Sequence, residues 1–188
     1  MIMVKAYAKI NLGLKIVGQD ESDGYHLLDM VEVPLELHDR IEITELPAGY
    51  DTIITCDDRA VPTDETNLVA KTMKVLKDKY KFKNNFRIHI HKIIPVGSGL
   101  GGGSADAAAV LHAMNKILKL KISNKVLCEL GAKIGSDVPF CVLNTPCHIT
   151  SKGEELSPIN IKTKYKVILA RPKEGLITKD VYKKYEDK

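Results

Sequence analysis

A glycine-rich segment, Pro95 to Ala107, holds the residues with the clearest chemical meaning in this sequence of 188 residues. Glycine allows backbone conformations with positive φ, which lets N–H groups gather around an anion. The alanine-rich stretch that follows predicts a helix, whose first N–H groups and positive dipole end attract phosphate. The segment therefore predicts a phosphate-binding loop made of Pro95, Gly97, Ser98, Gly99, Leu100, Gly101, Gly102, Gly103 and Ser104.

Three alternative roles for the glycine run fit the sequence less well. A Walker A motif needs a lysine before its Ser or Thr, and residues 95–113 contain no lysine. A dinucleotide-binding loop would follow the first strand and precede an acidic ribose ligand by about 20 residues. A flexible linker would not be expected between a strand and a helix with Asp106 in its first turn. Ser104 could cap this helix, contact phosphate or bind Mg²⁺.

Several segments together resemble the GHMP kinase family. Pro95 to Ala109 is similar to the family's second motif, which wraps the phosphates of ATP. Ala8-Lys-Ile-Asn-Leu-Gly-Leu with Asp23-Gly-Tyr-His-Leu-Leu, and Gly135-Ser-Asp-Val-Pro-Phe, are similar to the diphosphocytidyl-methylerythritol kinases within that family. The resemblance implies an enzyme of non-mevalonate isoprenoid synthesis, and residues Met1 to Lys9, which lack the apolar core of a signal peptide, predict a cytoplasmic location. The enzyme would phosphorylate the 2-hydroxyl of a cytidine-diphosphate-linked substrate with ATP and Mg²⁺.

The resemblance also implies roles for single residues. Asp137 matches the family's catalytic aspartate, Lys9 its partner lysine, and Asn11 lies beside them as a substrate contact. An attacking alcohol needs a proton acceptor, and a nearby lysine neutralises developing charge. Without the resemblance, Asp137 could equally be a turn or N-cap residue, and Lys9 a solvated strand lysine.

Substrate and nucleotide contacts follow in the same way. Tyr25 matches a residue that stacks on the substrate's cytosine, and His26 one that hydrogen-bonds its edge. Tyr182 matches the second aromatic residue of this clamp and Thr178 a contact to a substrate hydroxyl. Asn67 resembles a contact to adenosine, although an ordinary helix cap explains it nearly as well.

Two rival functions remain open. The chain could be another GHMP kinase, acting on homoserine or a sugar, in which case Tyr25 and His26 would have no nucleobase to clamp. It could also be a catalytically inactive nucleotide-binding module. The family's chains continue past residue 188 into a third glycine-rich motif, so the resemblance implies that most of a second domain is missing here.

The elements that must position these residues are read from hydrophobic periodicity. Alternating segments predict strands and stripes at helical spacing predict helices. The predicted strands are Val4–Ile16, Leu27–Leu37, Asp39–Leu46, Thr52–Cys56, Phe86–Ile94, Phe140–Val142, Cys147–Thr150 and Lys166–Ala170, and the predicted helices are Thr66–Tyr80, Ser104–Leu118 and one from Ser123 to about Ile134.

This order predicts an α+β fold of two layers, β-rich at its start, rather than a doubly wound sheet. The resemblance implies the GHMP kinase N-terminal domain, which is like domain 2 of ribosomal protein S5. We expect this domain over residues 1–160 and the beginning of a second α+β domain over residues 161–188.

Composition excludes several other classes of protein. The net charge of +4 is small, so nucleic-acid binding is not required, and the apolar stretches are too short for a transmembrane helix. The four cysteines lack CxxC spacing and are expected to be reduced core thiols. His89 and His91 share one strand face, but no third ligand of suitable spacing is visible, so we expect no metal site there.

Overall fold

The computed structural model describes residues 1–162 and 166–170. Within them the chain forms six strands and four helices. In chain order these are β1 (Ile2–Gln19), β2 (His26–Glu45), β3 (Ile53–Cys56), α1 (Leu68–Tyr80), β4 (Phe86–His91), α2 (Gly102–Ile117), α3 (Asn124–Ala132), α4 (Val138–Leu143), β5 (Cys147–Ser151) and β6 (Glu155–Pro158).

The long strand β2 organises the sheet. On one edge it pairs antiparallel with β1 along nearly its whole length. On its other edge it pairs antiparallel with β4 through Arg40–Glu45 and with β5 through Leu28–Glu32. β3 extends the sheet parallel to β4, and β6 extends it antiparallel to β5. The result is one six-stranded mixed sheet.

The core lies between one face of this sheet and the helices. The sheet contributes alternating residues such as Ile41, Ile43, Ile88 and Ile90, all nearly or fully buried. The helices contribute buried apolar residues, among them Leu76, Leu111, Leu127 and Phe140. Each fully buried side chain of this size stabilises the fold by roughly 1.5–3 kcal/mol. The predicted two-layer α+β architecture is confirmed.

The predicted break at Asp39 is wrong, because β2 is a single strand. Asp39 is fully buried in its middle, and its carboxylate accepts hydrogen bonds from the backbone N–H groups of Ile93 and Ile94. A polar residue that the sequence suggests as a turn is therefore an internal acceptor that ties β2 to the start of the glycine segment.

Four other assignments need correction. Phe140–Val142 is part of helix α4 rather than a strand, and Lys166–Ala170, within the described residues, adopts no regular structure. Helix α2 begins at Gly102 instead of Ser104. Strand β6 was not predicted, because four residues with two charged or polar side chains carry little periodic signal. The remaining predicted elements are confirmed with shifts of a few residues at their ends.

The last described element, β6, ends at Pro158, close to the expected domain boundary. The division into residues 1–160 and 161–188 stays a prediction. Among the described helices, none combines the length and apolar character needed to cross a bilayer.

Candidate functional site

The glycine loop adopts the backbone geometry that its composition suggests. Gly97, Gly99 and Gly101 have φ values of 68°, 73° and 69°, a region that side-chain-bearing residues rarely occupy. Gly101 is the N-cap residue of α2, so the first N–H groups of this helix point toward the loop. The N–H of Lys9 donates to the carbonyl oxygen of Leu100 at 3.0 Å, which fixes the loop against β1.

The loop lies directly on two lysine side chains. A Cβ atom placed on Gly101 would lie 2.9 Å from Cγ of Lys9, and one on Gly102 would lie 2.9 Å from Nζ of Lys92. Both distances are shorter than real contacts of a Cβ atom, so any larger residue would displace the loop or the lysine. Close approach, and not only positive φ, therefore requires glycine at these positions.

A first cavity, of about 310 Å³, opens on the outer side of the loop. The loop from Pro95 to Ser104 forms one wall, while Ala60 to Pro62 and the start of α1 form the other. Asn67 caps α1 by accepting a hydrogen bond from the N–H of Val69 at 2.8 Å, and it lines the cavity as well. Its capping role is confirmed, and a contact to adenosine stays a prediction.

The structure decides two points at the start of α2, and the expected place of Asp106 in the first turn is wrong. Ser104 is the third residue of the helix, which excludes the capping alternative, and it lines the cavity; contact to phosphate or Mg²⁺ stays a prediction. Asp106 lies beyond the first turn and is only 2% exposed. Its Oδ2 pairs with Lys92 at 2.7 Å, and within the described residues its Oδ1 has no hydrogen-bond partner.

A second constellation surrounds Lys9 on the other side of the loop. The Lys9 ammonium group lies 2.6 Å from Oε1 of Glu32, 2.8 Å from Oδ1 of Asn11 and 3.5 Å from Oδ2 of Asp137. Lys9 is only 6% exposed and Glu32 only 1%. The structure thus brings together Lys9, Asn11 and Asp137 and adds a carboxylate that the sequence did not indicate.

The charges of this constellation depend on one another. Burial alone would lower the pKa of Lys9, but the negative charges of Asp137 and Glu32 outweigh burial and raise it. Burial raises the pKa of Glu32, and Lys9 opposes that effect. Lys9 is therefore held as an ammonium group, shared by two carboxylates.

Asp137 is the accessible member of the constellation. It is the N-cap residue of α4, in helical rather than extended conformation, and its side chain is 35% exposed. Pro139 in the first turn of α4 and the buried side chains that follow fix the backbone behind it. Asp137 can therefore face a bound molecule, whereas Glu32 is enclosed.

A second cavity, of about 1050 Å³, contains this constellation. Gly99 and Gly101 line it as well as the first cavity, so the glycine loop forms the wall between the two. The far end is formed by the β1–β2 turn with Tyr25 and His26 and by Lys152, whose ammonium group lies 5.8 Å from the centre of the Tyr25 ring. Tyr25 is 65% exposed, which excludes a role in the core.

Thr178 and Tyr182, the two predicted contacts near the end of the sequence, lie outside the described residues. Glu32 and Lys92 were missed. Glu32 could have been found from its position, because it is two residues from the buried Met30 in a strand and therefore lies on the same face. A buried carboxylate there needs a partner. Lys92 lies inside the predicted strand Phe86–Ile94 and has the parity of the buried Ile88 and Ile90, which is a comparable signal.

The expectation that His89 and His91 lack a third potential ligand is wrong. Asp57 lies beside them, with one ligand atom from each of the three residues within 4.8 Å of the others. Asp57 is distant in sequence and reaches the histidines only because β3 and β4 are neighbours.

Comparisons with known proteins agree with this geometry. The family model described as GHMP kinases N terminal domain matches residues 67–145, which include the glycine loop and Asp137. The 4-diphosphocytidyl-2-C-methyl-D-erythritol kinase of Clostridium botulinum is 40% identical over 97% of this chain and 64% of the relative. The Bacillus subtilis protein of that name is 43% identical over 97% of this chain and 62% of the relative.

Residues 67–145 of this chain thus match the N-terminal domain of the GHMP kinases, and the chain is similar to the two named kinases over 97% of its own length. It spans between 62% and 64% of the length of these two relatives. A crystal structure of 4-(cytidine 5'-diphospho)-2C-methyl-D-erythritol kinase shares the fold with a TM-score of 0.71 and 32% identity, covering 84% of this chain and 55% of that one. The mevalonate kinase of Methanococcus jannaschii, at 15% identity, has a TM-score of 0.65 over 86% of this chain and 56% of its own. This second likeness concerns the fold alone.

Proposed function

We propose that this chain is a GHMP kinase domain that binds ATP and transfers its γ-phosphate to the 2-hydroxyl of 4-diphosphocytidyl-2-C-methyl-D-erythritol. The observation that carries the proposal is the glycine loop as a shared wall between two cavities, with Lys9 and Asp137 beside that wall. A kinase needs this arrangement, because donor and acceptor must meet in line at one phosphoryl group. The names of the relatives supply the acceptor.

The first cavity is proposed as the ATP site. The loop residues Pro95 to Ser104 would hold the phosphates through backbone N–H groups, and the N-terminus of α2 would favour their negative charge. Asn67 and the opposite wall would contact adenosine. The volume of about 310 Å³ is at the small end for a ligand pocket, which suits a cleft that holds part of a nucleotide.

Mg²⁺ fits the donor atoms of this cavity. Ser104 and Asp106 both line it, and the Oδ1 of Asp106 accepts no hydrogen bond from any described residue. Oxygen atoms such as these are the ligands that Mg²⁺ prefers. The ion would neutralise charge on the phosphates. Ser104 is the residue proposed to hold it.

The residues of the second cavity would prepare the acceptor. Asp137 would take the proton of the attacking hydroxyl, since its carboxylate is accessible and Lys9 lies 3.5 Å away. Lys9, held as an ammonium group by Glu32, would neutralise charge that develops on the transferred phosphoryl group. Asn11 would keep Lys9 oriented and contact the substrate.

The turn between β1 and β2 would recognise the cytosine. Tyr25 stands free of the core and lines the large cavity, so its ring can stack on a base. His26 lines the same end and would bond the base edge. Thr178 and Tyr182 are proposed to complete the substrate site.

The proposal is tested by measuring ADP release with a panel of acceptors. We expect turnover with 4-diphosphocytidyl-2-C-methyl-D-erythritol and none with methylerythritol phosphate, homoserine, mevalonate or galactose. The Bacillus subtilis relative serves as the positive control for substrate quality. Turnover of homoserine or a sugar alone would replace the proposed acceptor. ATP binding by calorimetry without turnover of any acceptor would instead support an inactive nucleotide-binding module.

A further inference from the structure

A second cluster of chemically capable side chains lies on the face of the sheet opposite the helices. On β4 the residues Phe86, Ile88 and Ile90 face the core, and His89 and His91 alternate with them on the outer face. Asp57 follows β3 directly and reaches the same face. One ligand atom from each of Asp57, His89 and His91 lies within 4.8 Å of the other two.

Sheet register fixes where these residues stand. Thr55 on β3 pairs with His89, and Cys56 pairs with Ile90, so residue 57 is placed beside position 91. On the other side of β4, Glu42 on β2 pairs with His89. The candidate ligands thus come from β4 and from the residue that follows β3, and Glu42 supports them from β2, so one sheet gives a rigid support for a preformed site.

Hydrogen bonds orient the ligands. His89 Nδ1 is joined to the Thr55 hydroxyl at 2.8 Å, and when Nδ1 donates in this bond its Nε2 carries the lone pair that a metal needs. Asp57 Oδ1 accepts the backbone N–H of Lys92 at 2.8 Å, so its Oδ2 is directed at Nδ1 of His91, 3.6 Å away. Such outer contacts fix ring orientation in metal sites.

Glu42 faces the other nitrogen of His91 and so helps to orient the ring. Its Oε2 lies 3.9 Å from Nε2 of His91, on the opposite side of that ring from Asp57. His91, Glu42 and Asp57 are each between 33% and 47% exposed, so the side chains have room to move by the fraction of an ångström that coordination requires.

We propose that Asp57, His89 and His91 form a binding site for a divalent transition metal, with a water molecule as the fourth ligand. Two imidazoles and a carboxylate suit Zn²⁺ or Co²⁺ in tetrahedral geometry. They do not suit Mg²⁺, which prefers oxygen ligands. The site is therefore chemically distinct from the one proposed at Ser104 and does not depend on the kinase proposal.

The proposal is tested by titrating the metal-free chain with Zn²⁺ in a calorimeter and with Co²⁺ in a spectrophotometer. We expect one ion per chain, a d–d absorption band typical of tetrahedral nitrogen and oxygen coordination, and a rise in melting temperature with Zn²⁺. Removing any one ligand, in His91→Gln, His89→Gln or Asp57→Asn, should weaken metal binding by more than about tenfold. Loss of a residue that only orients a ligand already weakens metal binding by about tenfold or more, so loss of a ligand should cost at least as much. Asparagine at position 57 keeps the acceptor for the N–H of Lys92, which protects the fold.

Two matched variants exclude other origins of binding. His148 also pairs with a carboxylate, Asp29, at 2.7 Å, but it lies on β5 outside the cluster, so His148→Gln should bind Zn²⁺ as the parent does. Cys56→Ser removes the thiol next to Asp57 and should also leave binding unchanged. No binding, equal binding in all variants, or loss only in Cys56→Ser would overturn the proposal.

Discussion

Two lysine side chains approach neighbouring glycines of the glycine loop, and each lysine forms ion pairs with two carboxylates. Gly101 rests on Lys9 and Gly102 rests on Lys92. Both lysines have a raised pKa, because neighbouring carboxylates outweigh the burial that would lower it. Because both lysines are buried and pair with two carboxylates each, they would be expected to have the same role.

The accessibility of the carboxylates separates them. Asp39 and Asp106, the partners of Lys92, have side chains only 0% and 3% exposed, and both contact the ammonium group within 2.7 Å. Asp137, a partner of Lys9, is 35% exposed and 3.5 Å away, at the edge of the large cavity. A closed ion network stabilises structure, whereas an open one leaves a carboxylate available to a substrate. We therefore expect changes around Lys9 to affect catalysis and changes around Lys92 to affect stability.

The largest expected effect is that of Asp137→Asn. Loss of the proton acceptor should lower kcat by about 10²–10⁴ with little change in KM, because a general base acts in the transition state. Stability should change little, since the side chain is partly solvated. Steady-state kinetics and urea unfolding of the same preparation check both statements, and a kcat equal to that of the parent would remove Asp137 from the mechanism.

Lys92→Met is expected to give the opposite pattern. It leaves the buried carboxylates of Asp39 and Asp106 without their cation, which costs roughly 3–5 kcal/mol of unfolding free energy. Lys9→Met is the matched control. It should cost less stability, because one deeply buried carboxylate, that of Glu32, loses its cation instead of two, and Asp137 remains partly solvated; it should cost more activity. Equal losses of stability in urea for the two variants would contradict the division between a closed and an open network.

Gly101→Val tests the loop above Lys9. The new side chain is strained at a φ of 69° and collides with Lys9, so the loop should move and ATP affinity should fall by at least about tenfold. Gly49→Val is the control for strain alone. Gly49 has a φ of 94°, and in the described part of the chain no atom lies within 4 Å of a Cβ placed there. Calorimetry showing equal ATP affinity for both variants would remove the loop from the nucleotide site.

How much of this the sequence could predict depends on whether the signal is local. The glycine loop is read directly, because φ preferences and helix N-termini are local properties. Part of helix α4, Phe140–Val142, was mistaken for a strand, because a short run of apolar residues looks the same in either period. Five of the six residues of α4 are buried, and only their packing shows that they form a helix. Tyr25 and His26 precede the predicted strand Leu27–Leu37, and in the structure Tyr25 ends the turn and His26 begins β2, yet their proposed roles came from the resemblance alone.

Lys9 shows why the site itself needed a structure. Strict alternation along β1 places Lys9 on the face opposite Ala6 and Ala8, toward solvent. The pairing of β1 with β2 shifts register between Tyr7 and Lys9, and such a shift turns a side chain toward a different face. Lys9 is consequently buried beside Glu32, a contact between residues 23 positions apart that no local pattern reveals.

Asp106→Asn tests the closed network by pH. Burial raises the pKa of Asp106 to about 7, and the negative charge of Asp39 acts in the same direction. The positive charge of Lys92 opposes this shift without cancelling it. The carboxyl group of Asp106 titrates near pH 4 in the unfolded chain, so between about pH 4 and pH 7 the native state binds one more proton than the unfolded state. The stability contributed by this proton is lost as pH rises through about 7. The parent should lose up to about 1.4 kcal/mol per pH unit in this window. Urea unfolding between about pH 5 and pH 8 should give a flatter profile for the variant, and identical profiles would show that Asp106 does not titrate there.

The smallest expected effect belongs to Glu32→Gln, which alters the open network without opening the core. Glutamine keeps an oxygen that can accept a hydrogen bond from Lys9, but it removes one of the two negative charges that raise the pKa of Lys9 against the effect of burial. The pKa of Lys9 should therefore fall, and the alkaline limb of the kcat/KM profile should move to lower pH. Near neutral pH the rate should drop only a few-fold, because Asp137 still holds Lys9 charged. Stability should hardly change, since burial disfavours the Glu32 carboxylate and the neutral amide avoids that cost.

The control for Glu32→Gln comes from the closed network. Asp39→Asn should destabilise the chain and leave the alkaline limb of the kcat/KM profile in place. A limb that moves equally in both variants would mean that the two lysines act as one charged unit beneath the loop, and the comparison between them would fail.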